Sequence, residues 1–191
     1  MRYFDSGVLL KLYLSEPNSP QAVTLVRENG GLPPITGLHR LEMKAAIGQK
    51  QDRGEISETA RAQVLANFES DLAAGVFGGT SPAWAEVFMK AEGLASEHAA
   101  TNLCRSLDTL HVALALELGA TEFCTFDQRQ ERWRRPRDCR WCRKTVSLPM
   151  PRVQAGSTRN TNSSLRMQSG RRPGTSQPMA TPWVSAAAEK P

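Results

Sequence analysis

Met1-Arg2-Tyr3-Phe4-Asp5-Ser6-Gly7-Val8-Leu9-Leu10 opens the chain, and Thr121-Glu122-Phe123-Cys124-Thr125-Phe126-Asp127 follows the same plan far downstream. Each is a short β-prone run that ends in a carboxylate where polar residues begin. Both read as strands that deliver an Asp to the start of a helix. In open α/β sheets ligands bind beyond the carboxyl ends of the strands, so two such acids would face one crevice. Asp is also a favoured helix N-cap. For either residue alone the two readings stand level, and the similar pair tips the balance toward a site.

Between these runs, helical periodicity alternates with short extended stretches. Val8, Leu9, Leu12 and Tyr13 form an apolar stripe over Gly7 to Leu14, ended by Pro17. Ser19-Pro20 reads as an N-cap followed by proline, opening a helix that closes at Asn29-Gly30-Gly31. Pro33 to Thr36 is extended. Leu38 to Gln51 is helical, with Leu38, Leu41 and Ala45 on one face. Ser57 caps a helix to about Ala74 that carries Val64, Leu65, Phe68 and Leu72, and a short strand is expected within Gly75 to Gly79. Ser81-Pro82 repeats the cap signal ahead of Ala83 to Ala100, and Ser106 is read as the cap of a helix with Leu107, Leu110, Leu114 and Leu118 that Gly119 stops. Asp127 would cap a last helix from Gln128. Alternating strands and helices predict an α/β class with a mostly parallel sheet.

Composition divides the chain. Residues 1–128 hold ten Lys and Arg against sixteen Asp and Glu, a net of −6; residues 129–191 hold fourteen against three, a net of +11. This predicts an acidic globular domain over residues 1–135 and a basic, low-complexity tail over 136–191, expected to be disordered. With no apolar window of about 18 residues, no membrane span is expected. The opening residues lack a secretory h-region, so a cytoplasmic protein is the expectation. There the four cysteines would be thiols. Cys139 and Cys142 have half-zinc-site spacing with no second pair.

Two further carboxylates border apolar helix faces, Glu42 beside Leu38 and Leu41, and Asp108 beside Leu107 and Leu110. A carboxylate at a buried border is costly unless paired or bound to a cation. Glu42 as a surface ion pair and Asp108 as a first-turn acid are the plain alternatives. Four converging acids would repel one another unless a hard divalent cation sat among them, and Mg²⁺ or Mn²⁺ suits such oxygens. The chemistry this allows is hydrolysis of a phosphate ester. His111, on a Leu-rich helix, reads as packed, and Arg105 either as pairing with an acid or as touching a phosphate.

Taken in order, Met1 to Tyr13, Leu38 to Glu42, Arg105 to His111 and Thr125 to Gln130 resemble the four motifs of PIN-domain ribonucleases, toxins of the VapC type. The resemblance covers residues 1–130. It implies a three-layer α/β/α domain that cleaves RNA with Mg²⁺ or Mn²⁺, leaving 5′-phosphate and 3′-hydroxyl ends. It implies that Asp5, Glu42, Asp108 and Asp127 hold the metal directly or through water, with Ser6 and Thr125 supporting the acids. By the same resemblance the partners are an RNA substrate, a small antitoxin protein and a second copy in a homodimer. Two features depart from the family: Ala45 stands where an Asn is common, and Pro136 stops the last helix. The change of composition there has the look of a frame-shifted or non-homologous extension. The rival reading is a catalytically impaired relative that only binds antitoxin or RNA.

Overall fold

Ten elements follow one another in the computed structural model, which describes residues 1–102 and 105–127 (side chains 98–102 excepted): β1 (Arg2–Phe4), α1 (Ser6–Leu10), α2 (Ser19–Arg27), β2 (Pro34–Ile35), α3 (Gly37–Asp52), α4 (Glu58–Ala73), β3 (Gly78–Gly79), α5 (Trp84–Asn102), α6 (Ser106–Glu117) and β4 (Glu122–Cys124). The expected helix from Gln128, Cys104, the Cys139–Cys142 pair and the basic tail lie outside the described residues.

The strands form two parallel pairs, β1 with β4 and β2 with β3. Helices and small parallel sheets thus make a mixed α/β fold. In the first pair Tyr3 sits opposite Phe123 and Phe4 opposite Cys124. Successive strand residues point to opposite faces, and here they feed two separate cores. Tyr3 and Phe123 stack at 5.4 Å among Leu38, Val87 and the apolar residues of α6. Phe4 and Cys124 pack with α1, α2, Met43, Ile47 and Phe68. Between α6 and β4 the chain reverses at Gly119, whose φ of 66° suits a residue without Cβ. The amide of Gly119 donates to the Leu116 carbonyl and that of Ala120 to the Ala115 carbonyl, the paired bonds of a Schellman stop. Thr121 then donates to Met1, so the ladder starts at once.

Several helix boundaries differ from expectation, each for a local reason. Asn18, in the left-handed region, precedes α2, and Ser19 is its first residue. The Ser19 hydroxyl is occupied instead, donating to the Leu14 carbonyl at 2.8 Å and accepting from the Glu16 amide. Arg105, not Ser106, is the N-cap of α6, because the Asp108 carboxylate accepts the Arg105 amide at 3.0 Å. Thr80 still donates to the Ile35 carbonyl, and α5 begins at Trp84, with the Val87 amide donating to Ala83 rather than to the expected Ser81 cap. Ser57 does cap α4, accepting from the Ala60 amide.

The face expected for α3 is rotated. Leu41 is 65% exposed and Ala45 is exposed, while Leu38, His39, Met43 and Ile47 are buried. On α6 Leu107 is 48% exposed, and Thr109 to Ala115 are buried without a break. In both helices a histidine lies in the core, and a reading by hydrophobicity alone passes over it.

Candidate functional site

Asp5 and Ser6 sit where β1 hands over to α1. The Asp5 carboxylate caps that helix, Oδ1 accepting from the Val8 amide at 2.7 Å, while Oδ2 accepts from the Thr125 hydroxyl. Parallel register brings Asp5 to Thr125, not to Asp127; Asp127 lies two residues beyond and donates its amide to Thr125 Oγ1 at 2.9 Å. Thr125 therefore links both acids. Burial pushes the Asp5 carboxyl up, the bonds from Thr125 and Val8 and the nearby His111 oppose this, and the charge of Asp127 adds to the rise.

Glu42 reaches the same place from α3. It accepts from the Ser6 hydroxyl at 2.6 Å and from His111 Nε2. Burial raises its pKa, but His111 and Ser6 outweigh it and hold the carboxyl below the usual range. Asp108, in the first turn of α6, has one oxygen on the Arg105 amide. Asp5, Glu42, Asp108 and Asp127 all line one open cleft of about 770 Å³. Ser6, Lys11, Glu16, Leu107, His111 and Phe126 line it too. Arg105 does not line it and is exposed.

Five carboxylates, Glu16 included, face the cleft, and Lys11 is the one lysine or arginine on its described walls. Its ammonium is held by Glu16 at 2.6 Å and lies 5.8 Å from the centre of the Phe126 ring. The donor set is all hard oxygen, which fits a hydrated divalent cation bound through one or two carboxylates. Among the described residues, however, no three His, Cys, Asp or Glu form a ready-made ligand cluster. The acids share a cleft without closing a cage.

His111 is packed, as the sequence reading had it, but it also reaches the site, which that reading did not foresee. His111 is buried, with Nδ1 2.6 Å from the Tyr3 hydroxyl and Nε2 on Glu42. Its position three residues after Asp108 was a signal, but a Leu-rich surround argued for packing. Cys124 is buried with its thiol pushed up to about 12 by burial, so it is inert here.

No protein-family model matches the chain, and no curated protein matches it. No described helix is long and apolar enough to cross a membrane.

Proposed function

We propose that this chain is a divalent-metal-dependent endoribonuclease of the PIN type. One observation carries the reading: four carboxylates from four distant segments line a single cleft beside the carboxyl ends of β1 and β4. Asp5, Glu42, Asp108 and Asp127 would hold Mg²⁺ or Mn²⁺, which when bound supplies Lewis acidity at the phosphate and lowers the pKa of water. Thr125 orients Asp5, and Ser6 and His111 orient Glu42. Lys11 offers a phosphate the cationic contact that the acidic walls lack. On this reading the two parallel pairs belong to one three-layer α/β/α domain, the protein works in the cytoplasm, a small antitoxin covers the cleft, and the domain dimerises.

The test is cleavage of structured RNA with and without the ion. Activity should need Mg²⁺ or Mn²⁺ and vanish in excess EDTA. Asp5→Asn keeps an oxygen to cap α1 but removes the charge, and should lower the rate at least about 100-fold, beyond what losing a mere supporting contact costs. Undiminished cleavage in EDTA would refute the mechanism. That the acids among the described residues share a cleft without forming a ligand cluster favours a second reading, an impaired relative that only binds antitoxin or RNA. Induced expression separates the two: growth arrest with the native chain but not with Asp108→Asn supports the enzyme, and equal growth supports the binder.

A further inference from the structure

A line of buried groups runs from the interior of β1 to the cleft. The Tyr3 hydroxyl meets His111 Nδ1 at 2.6 Å, and His111 Nε2 meets the Glu42 carboxylate that also accepts from Ser6. The ends of this line set its direction. A glutamate carboxylate carries no donor, so Glu42 accepts from both the Ser6 hydroxyl and His111 Nε2. In the neutral imidazole one nitrogen donates and the other accepts, so with Nε2 facing a carboxylate Nδ1 is the acceptor for the Tyr3 hydroxyl 2.6 Å away. The imidazole proton is then on Nε2, aimed at Glu42.

We propose that Tyr3 and His111 are positioning residues for Glu42: Tyr3 selects the Nε2–H tautomer of His111, and His111, together with Ser6, pins the Glu42 carboxylate in the cleft. A glutamate on a half-exposed helix face has three free torsions and would otherwise sample solvent. Donors from α1 and α6 both hold Oε2, which fixes the carboxylate and leaves Oε1 for a cation. The neighbouring His39 shows the contrast, since both its nitrogens are spent on Thr36 and the Phe4 carbonyl and none faces the cleft. The inference rests on the cation role proposed above.

Calorimetric Mn²⁺ titration of the full chain tests it, with Asp5→Asn as the control for binding in the cleft. His111→Asn ends its amide near the Nδ1 position and cannot reach Glu42; it should weaken Mn²⁺ binding by about 10- to 100-fold, as lost outer-shell partners do. His111→Gln carries a donor out to the Nε2 position and should restore most of that loss. Tyr3→Phe keeps the ring on Phe123 and should weaken binding several-fold. Native affinity in His111→Asn, or Gln no better than Asn with both folded, overturns the proposal. If the variants do not fold, ¹⁵N NMR of the native chain decides: Nδ1 of His111 should be bare and Nε2 protonated, and a proton on Nδ1 overturns the inference. Absence of Mn²⁺ binding by the native chain would instead overturn the function proposed above, and the NMR result would then judge the hydrogen-bond line alone.

Discussion

His39 and His111 lie 5.3 Å apart, ring to ring, both buried and both against Tyr3. Composition and burial do not separate them. Their partners do. His39 accepts the Thr36 amide at Nδ1 and donates from Nε2 to the Phe4 carbonyl at 3.0 Å. It closes the N-terminus of α3 and ties that helix to the last residue of β1, so its bonds end inside the protein. His111 takes the Tyr3 hydroxyl at one nitrogen and presents the other to a carboxylate in the cleft. A buried histidine is a structural group or a site group according to where its second nitrogen points, and that is a property of the fold.

The largest effect that should break this comparison falls on His39. Replacing it by alanine opens a cavity and orphans the Phe4 carbonyl and the Thr36 amide. A loss of about 3 kcal/mol or more is expected, read by urea unfolding. A loss below about 1 kcal/mol would mean that the ring is not holding β1 to α3.

Acid sharpens the same contrast. Burial, chiefly, and the neighbouring His111 hold the folded His39 pKa down at about 3, against about 6.5 unfolded. Between those values the unfolded chain binds a proton that the folded chain refuses, so stability rises with pH. His39 therefore contributes fully above pH 6.5, and its contribution should fall by about 2 kcal/mol between pH 6.5 and 5. The lowered Glu42 acts in the same sense at more acid pH, and the raised Asp5 acts in the opposite sense. Denaturation at several pH values reads the slope, which should shrink in His39→Gln. A flat profile in the native chain would show that His39 is not kept neutral.

The smallest effect is a control away from both rings. Ser57 caps α4 by accepting the Ala60 amide at 3.1 Å. Ser57→Ala should cost about 1 kcal/mol in thermal or urea unfolding and leave Mn²⁺ binding unchanged. Altered ion affinity in this variant would mean that stability, not the cleft, governs the readout.

Much of the fold was legible. The end of β1, the Ser57 cap, the Gly119 stop and the extended Pro34–Ile35 all follow from local conformational preference, whereas β4 stops at Cys124, short of the expected Phe126. The acidic quartet was legible as residues, and the structure brings all four to one cleft. The similar endings Phe4-Asp5 and Phe126-Asp127 suggested two acids at one crevice, and both line the cleft. What the sequence did not show is the register, which sets Phe4 against Cys124 and lets Thr125 bond the Asp5 carboxylate and the Asp127 amide. The buried face of α3 was misread because Leu41 weighs more on a hydrophobic scale than His39, while on α6 Leu107 of the expected stripe is exposed and Leu110 and Leu114 are buried.

The amino-acid order alone determined where the chain bends, which segments are helical or extended, and that carboxylates follow two of the strands. Those are consequences of steric preference and periodicity within a few residues. Tertiary structure alone decided which oxygen meets which donor: Thr125 reaches Asp5 across 120 residues, His111 reaches Glu42 across 69, and Tyr3 reaches His111 across 108. Hydrogen bonds act over about 3 Å, so such partnerships exist only once strand register and helix packing have set the distances.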